Sequence, residues 1–438
     1  MIVLIPIEIA SRELLFKVFL CHCLTLKGFT CYLGKKSFIW HLAREMEGYL
    51  YIDKGYHEGH SEKIYKLVRS KSGYIVSLDE EGAVDFSDNK TLLKRYSKSV
   101  FQSLDQVFLW GKGQFDILKN NIQDTSKVSI TGHPRFELLK PKYNFFYEKE
   151  VNKIKDKYGD FILINTNMGF GNNIKGDDFI RDRMDGYGNW FKDIDRIIEQ
   201  DKIKMDEYIS LVKILSKESD RYIIFRPHPE ENNEKYFKAF SNYPKVIITN
   251  KGSVVPWLMA ASIMIHPDCT TSIESLIIGK KSISFIPKSS QDDLVTDLPL
   301  KISHRAENIE AIISIINSDN NLIINQNDKS IVDNFFSTSL DSSFLIVEKI
   351  VELFNGKIDL NKTSISIMNY LWLNYRAVKF KFSPGKSATL AKKKIFGFSK
   401  NNIWRYHQNC IKMNAEFSKV HPKKIADNLY QFSLKNPL

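Results

Sequence analysis

The chain alternates short apolar runs with longer stretches whose apolar residues recur every three or four positions. "IVLIPIE", from residue 2, has the length of a strand. "SRELLFKVFLCHCLTLKGF" follows with helical periodicity, and Ser11 stands where a cap belongs. "TCYLG", "YLYID", "GYIVSLDEEG", "QVFLWG" and "KVSITGHP" read as further strands, separated by helical segments at "SFIWHLAREM", near 61–70 and over 90–104. After the charged stretch "KPKYNFFYEKEVNKIKDKYGD" the rhythm restarts. "FILINTN", "RYIIFRPHPEEN", "KVIITN", "SIMIHPDC" and "KSISFIP" read as strands; helices are expected near 203–218, at "SVVPWLMAA" and at "TTSIESLIIG". Alternation of this kind predicts parallel sheets with helices on both faces. Because it occurs twice, the expected architecture is α/β with two Rossmann-like domains, 1–145 and 156–335, and a helical, basic C-terminal extension over 336–438. "NSDNNLIINQND" at 317–328 reads as a loop edge.

The length of 438 residues suits two cores, and 43% apolar with 26% charged residues is a globular composition. The five cysteines form no framework, so they read as reduced thiols of a cytoplasmic protein. Cys21-His22-Cys23 lies in an apolar helical run with no second ligand pair nearby, which favours packing over zinc. No stretch approaches the ~20 apolar residues of a membrane span. "MIVLIPIEI" lacks a basic start and reads as a first buried strand, not a signal peptide.

Charge is distributed unevenly. The chain has a net charge of +12, and residues 376–438 alone contain 14 basic and 2 acidic residues, so 1–375 is formally neutral. Lysines alternate with rings in "YRAVKFKF" and "KKKIFGFSKNNIWRYH", a pattern suited to an anionic membrane surface; a solvated face packed on the main body is the plainer reading. The neutral body and the lack of an RNA-binding signature weigh against nucleic acid as the partner.

Ligands of open α/β sheets bind beyond the carboxyl ends of strands, and several polar clusters fall there. Asp79, Glu80 and Glu81 follow "YIVSL", with Gly82 for the turn; crowding of carboxylates is expected to raise a pKa and make a base. An ordinary polar turn explains the same string. In "FRPHPEE", Arg226 and His228 suit a phosphate, and Pro227 and Pro229 stiffen the loop. In "HPDCTTSIESL", Thr270, Thr271 and Ser272 open a helix whose start suits a phosphate, and Glu274 is placed for ribose hydroxyls or for the helix dipole. Asn165 and Asn167, beside the glycine-rich "NMGFGNN", are candidates to line the cleft. His133 and Pro134 of "GHPR" are expected in an interdomain turn.

The order of Glu80-Glu81-Gly82, His228-Pro229 and Thr270-Thr271-Ser272 resembles the D/E-D/E-G, HP and Ser/Thr motifs of bacterial sialyltransferases of the GT-B fold, with Asp79 leaving the register open by one residue. "SLDEEG", "GHPRFELL", "RPHPE" and "HPDCTTSIESL" look still more like bacterial surface-carbohydrate (capsule and O-antigen) biosynthesis proteins. The resemblance spans about residues 1–330 and rests on short motifs in a set order. It implies two domains facing a central cleft, and transfer of a 2-keto sugar acid (Kdo, pseudaminic, legionaminic or sialic acid type) from a CMP-activated donor to a growing surface glycan, with a free or a lipid-linked glycan as acceptor. A carboxylate of 79–81 would take the acceptor proton, while His228 and the 270–272 helix start would hold the leaving phosphate, with no cofactor and no metal. Rival readings are a UDP-sugar transferase or epimerase, a CDP-alcohol polyol-phosphate transferase and, outside enzymes, a nucleic-acid-binding protein acting through the basic tail. The expected location is the cytoplasm, peripheral at the inner face of the membrane.

Overall fold

The computed structural model describes the chain except residues 82–84, 86–87, 186–193, 291, 319–321, 355–364 and 436–438. Gly82 of the acidic motif therefore lies outside the described residues. In chain order the strands are β1 (Ile2–Ile7), β2 (Thr30–Lys35), β3 (Leu50–Asp53), β4 (Tyr74–Leu78), β5 (Gln106–Leu109) and β6 (Val128–Ile130). They continue with β7 (Phe161–Asn165), β8 (Tyr222–Arg226), β9 (Val246–Ile248), β10 (Ile263–His266), β11 (Ile283–Phe285) and β12 (His304–Ala306). The last two are β13 (Val420–Ala426) and β14 (Leu429–Leu434). The chain divides into two compact units. The first holds residues 1–83, 93–138 and 333–438, and the second holds 84–92 and 139–332.

In the first unit the sheet order is β13-β14-β2-β1-β3-β4-β5-β6, and β1 to β6 are all parallel. Every residue of β1 is buried, as both-face coverage by helices requires. Each such fully buried aliphatic side chain contributes roughly 1.5–3 kcal/mol. The chain runs outward from β1 in two directions, to β2 on one side and to β3–β6 on the other. The switch point therefore lies between β1 and β3, where Glu8 and Lys54 follow the strand ends.

The second unit has a parallel sheet of order β12-β11-β10-β7-β8-β9, with its switch point between β7 and β10. Its core gathers Ile162, Ile164, Tyr208, Phe225, Ile265 and Phe285, with the long helix Ile194–Glu218 on one face. Two Rossmann-like α/β sheets are thus present among the described residues.

Three local expectations are corrected. Ser11 does not cap the first helix, which starts at Ala10; Glu13 reaches back instead and accepts the Glu8 and Ile9 amides at 3.1 and 3.0 Å. The segment 90–104 forms two short helices, Lys90–Arg95 and Lys98–Ser103. His133, just before the short helix Pro134–Glu137, is 1% exposed, packs against Phe16 and Trp110, and its Nδ1 accepts the Arg135 amide at 3.1 Å. The C-terminal extension is helical over Ile367–Phe382, Lys386–Ile395 and Lys400–Met413, but it ends in the β13–β14 hairpin, whose inner strand pairs antiparallel with β2.

Candidate functional site

Both units place charged or amide side chains at strand ends, and the two clusters differ in kind. In the first unit the acids of "LDEEG" are heavily counter-charged. Arg95 donates to both oxygens of Asp79, with Nε to Oδ2 at 3.1 Å, and Trp110 Nε1 donates to the Asp79 carbonyl at 2.9 Å. Gly55, at φ +128°, lets the β3 exit loop pass against this pair: a Cβ there would stand 2.4 Å from Arg95 Nη2 and 2.5 Å from Asp79 Oδ1. Glu80 is 2% exposed, and its Oε1 lies 2.7 Å from Lys17 Nζ. That is an ion pair by distance, yet neither Glu80 oxygen receives a well-directed hydrogen bond among the described residues. Glu81 leaves about half its side chain in solvent and meets Arg12 at 3.4 Å and Arg95 at 3.7 Å.

Behind these acids lies Glu13, fully buried, which meets Lys17 at 2.8 Å and Lys54 at 3.2 Å; Lys54 reaches Glu8 at 3.1 Å. The network links the ends of β1, β3 and β4. Burial opposes ionisation of Glu13, but Lys17, Lys54 and Arg12 hold its carboxyl well below the usual range. Partial loss of solvent opposes ionisation of the half-exposed Glu81 too, and Arg12 and Arg95 still pull it down to about 2. The expected mutual raising of pKa is therefore not what happens at Glu81, because each acid has its own cation. A carboxyl that is raised is Asp53, at the end of β3. Burial pushes it up to about 6 against hydrogen bonds from Tyr65 Oη at 2.7 Å and the Gly55 amide at 3.2 Å. The alternating "YLYID" gave no reason to single it out.

In the second unit Asn165 ends β7 and Arg226 ends β8, and the two are register partners on adjacent strands. Asn165 is 4% exposed, and neither its amide oxygen nor its nitrogen has a partner among the described residues. Arg226 is 6% exposed and donates to the carbonyls of Lys251 at 3.3 Å and Gly252 at 3.2 Å, with its guanidinium 5.2 Å from the Trp257 ring centroid. No described carboxylate pairs with it, and burial alone lowers its pKa to about 9. A buried guanidinium with no described acid, on the strand beside an amide with no described partner, has the donors that an oxyanion would need.

Loops around this pair are fixed by acids that the sequence reading passed over. Glu231 Oε1 accepts from Thr166 Oγ1 at 2.7 Å, His228 N at 2.9 Å and Met168 N at 3.1 Å, while Oε2 takes the Tyr236 hydroxyl. One carboxylate thereby ties the loop after β7 to the loop after β8. Asp201 accepts the Phe170 and Gly171 amides at 2.9 and 3.1 Å, and a Cβ on Gly171 would stand 2.7 Å from its Cβ. Asn167 Nδ2 donates to Asp268 at 3.0 Å, which binds the same loop to the residues before the 271–278 helix. The position of Glu231, three residues after His228, was its one visible signal.

His228 is exposed; its Nδ1 accepts the Glu230 amide at 3.3 Å, which puts the proton of the neutral ring on Nε2. Pro229 follows it in the turn. The helix Thr271–Ile278 follows β10, next to β7. Thr270 makes no side-chain capping bond, Thr271 Oγ1 contacts Cys269 Sγ at 2.6 Å, and Ser272 Oγ donates to the Cys269 carbonyl at 2.9 Å. Two of the three hydroxyls thus have local partners. Glu274 is 1% exposed in the first turn. The structure gathers Asn165, Asn167, Arg226, His228 and 270–274 in the second unit, and Asp79, Glu80 and Glu81 in the first.

No protein-family profile and no curated protein matches the chain. Similar solved structures include the S. aureus MnaA–UDP co-structure, at TM-score 0.48 and 12% identity, covering 83% of this chain and 98% of that one. They also include the UDP-GlcNAc 2-epimerase from Methanocaldococcus jannaschii, at TM-score 0.44 and 12% identity, covering 71% and 78%. The wall teichoic acid polymerase TagF with CDPG is a third, at TM-score 0.44 and 12% identity, covering 74% and 86%. None of the three reaches a TM-score of 0.5, and none bears on the reading below.

Proposed function

We propose that the chain is a glycosyltransferase of the GT-B type that uses a nucleotide-activated sugar to build a surface glycan. The observation that supports it most is Arg226, buried with no acid among the described residues and beside the Asn165 amide, which has no partner among them. In this reading the second unit binds the donor. Arg226 and the Thr270–Ser272 helix start take the phosphate, His228 Nε2–H donates to the oxygen that leaves, and Glu274 lies within the same helix turn for the ribose. The finer reading is a CMP-linked 2-keto sugar acid. Its leaving group carries one phosphate, which matches a site where Arg226 is unpaired while Lys204 is occupied by Asp268 at 3.4 Å.

The reaction then balances simply. The bond from the acceptor oxygen to the anomeric carbon forms, the bond from that carbon to the phosphate oxygen breaks, and the hydroxyl proton passes to a carboxylate of the first unit. Glu80 is our choice for that carboxylate, ahead of Asp79 and Glu81.

A nucleotide panel in a thermal-shift assay tests the donor. CMP and CTP should raise the melting temperature clearly at saturation, since stabilisation follows RT ln(1 + [L]/Kd). A larger shift with UDP would transfer the chain to the UDP-sugar transferases and epimerases. A larger shift with CDP-glycerol would favour a polyol-phosphate transferase.

The same reading places the protein at an anionic membrane surface, peripherally, since no described helix is long and apolar enough to cross one. Ile367, Leu371, Tyr375, Val378 and Phe382 are 55–79% exposed and recur at helical spacing on Ile367–Phe382, whose opposite face buries Leu373 and Ala377. Arg376, Lys379 and Lys381 flank that stripe. Residues 400–434, in contrast, pack into the first unit through Ile403, Cys410, Phe417, Leu429 and Phe432, so the surface narrows to this helix and its neighbour. Leu371→Ser with Val378→Ser should abolish co-sedimentation with phosphatidylglycerol vesicles while leaving the CMP shift intact. Equal capture by neutral vesicles, or by the variant, would remove the membrane from the proposal.

A further inference from the structure

At the carboxyl ends of β1 and β2 the first unit contains an open pocket of about 360 Å³, within the size range of ligand sites. Ile7 of β1, Trp40 of the helix Lys36–Glu45, and Ala391 and Ile395 of the helix Lys386–Ile395 line it. The C-terminal extension therefore supplies one of its walls. Those walls are overwhelmingly apolar, so Lys35 and Lys36, which also line the pocket, present their methylene stems to it. The Lys35 ammonium turns onto the Phe380 ring, 3.1 Å from its centroid, and that of Lys36 lies 3.9 Å from Glu8.

Such walls select an apolar occupant. A sugar or a phosphate would exchange its water for a surface that returns few hydrogen bonds, whereas a methylene chain loses none. An amphipathic helix, about 10–12 Å across, is too wide to enter. At the ~30 Å³ of a water-sized group, the 360 Å³ hold at most about a dozen carbons of a chain.

What adjoins the pocket identifies that chain as a lipid's. The helix Ile367–Phe382 runs along the helix Lys36–Glu45: Trp372 stacks on His41 with ring centroids 3.8 Å apart, His41 Nε2 meets Asn369 at 3.1 Å, and Phe380 lies under Lys35. The apolar stripe of that helix therefore ends beside the pocket. Phe382 is exposed two residues past Phe380, and Phe396 is exposed next to Ile395 of the pocket wall. Apolar surface thus leads from the face proposed above to meet the membrane up to the pocket. On the inward side Glu8, which also lines it, connects through Lys54, Glu13 and Lys17 to Glu80.

We infer that this pocket seats the apolar chain of a lipid-linked acceptor, whose glycan extends past Glu8 toward the carboxylate network. The word acceptor rests on the glycosyltransferase reading; the binding of an apolar chain does not. The subsite gives the extension two linked roles, a stripe that meets the bilayer and a helix that closes a pocket for one chain drawn from it.

Calorimetric titration of the full chain with n-alkyl maltosides, hexyl to tetradecyl and each below its micelle concentration, tests the pocket. Affinity should rise about two- to fourfold per methylene and stop rising by about twelve carbons. Adsorption on the exposed stripe alone would show no such limit. Ala391→Trp, a plug placed at a half-buried position, should weaken dodecyl maltoside binding about tenfold or more. Ala391→Leu, a smaller plug, should shorten the limit by about three carbons. Ala391→Trp should melt near the wild-type temperature and still co-sediment with phosphatidylglycerol vesicles. Leu371→Ser with Val378→Ser should bind the dodecyl chain as the wild type does. Affinity that climbs through tetradecyl, dodecyl binding unchanged by both plugs, or its loss in the stripe variant would overturn the pocket. Chain binding without a CMP shift in the wild type would end the donor reading and leave the pocket standing. A CMP shift without chain binding would do the reverse.

Discussion

Arg226→Met is expected to lower CMP affinity about 100-fold or more while the ligand-free protein melts at or above the wild-type temperature. The two effects come from the same fact. Arg226 is buried, donates only to the Lys251 and Gly252 carbonyls, and has no acid among the described residues to offset its desolvation. Replacing a buried charge by an apolar chain of similar length is often neutral or stabilising when the charge has no partner to strand. With phosphate bound, the same guanidinium becomes half of a buried, hydrogen-bonded ion pair, and truncating such a pair costs about 2–5 kcal/mol. Methionine also keeps an apolar contact with Trp257 in place of the guanidinium. Arg226→Lys should fall between the two, since an ammonium keeps charge but loses the forked geometry. Thermal shifts with and without CMP read both quantities at once. A variant that melts far lower and still binds CMP would make Arg226 a structural residue.

The parts of the molecule that the sequence revealed are those encoded by contiguous residues. Buried parallel strands such as β1 and β7 are apolar on both faces, so "IVLIPI" and "FILIN" stand out without reference to anything else. Edge strands do not. β13 reads "VHPKKIA", with Lys423 and Lys424 exposed and Ile425 and Ala426 buried, and in a basic tail that pattern passes for a solvated helix. Its turn depends on Asn428 at φ +63°, a left-handed residue that Asn tolerates better than most.

The candidate site divides in the same way. Arg226, His228 and Asn165 were visible because each follows an apolar run. The state of the acids was not, because charge partners come from distant segments: Lys17 for Glu80, and Arg95 for Asp79. Adjacent carboxylates suggested mutual repulsion, and only the folded chain shows a cation beside each. Glu231 and Asp201 escaped notice for a related reason. They tie loops together, and apart from His228 the amides they accept lie 30 or more residues away in sequence.

Glu80→Gln should reduce kcat by about 10²- to 10⁴-fold, the usual worth of a positioned base, with the CMP shift unchanged. Among the three acids of the motif, Asp79 is held by both forks of Arg95, and Glu81 at about 2 is too weak a base. Glu80 is buried at the strand exit with one oxygen on Lys17 and the other without a partner. Glutamine keeps its shape and cannot take a proton. Lys17 would still have Glu13 at 2.8 Å and the Pro6 carbonyl at 3.0 Å, so no buried charge is stranded. Asp53 is the rival, because burial puts it near 6. Were Asp53 the base, kcat/KM would fall as pH drops through about 6, where it gains a proton, and Asp53→Asn would abolish transfer. Stability separates a structural role from that one. Its folded pKa lies above the ~3.9 of an unfolded aspartate, so the folded state loses stability as pH rises through about 6. Asp53→Asn should therefore be more stable than wild type above pH 6 and equal to it below about 4, while keeping activity within about tenfold. Transfer that survives Glu80→Gln but not Asp53→Asn would move the base from the end of β4 to the end of β3.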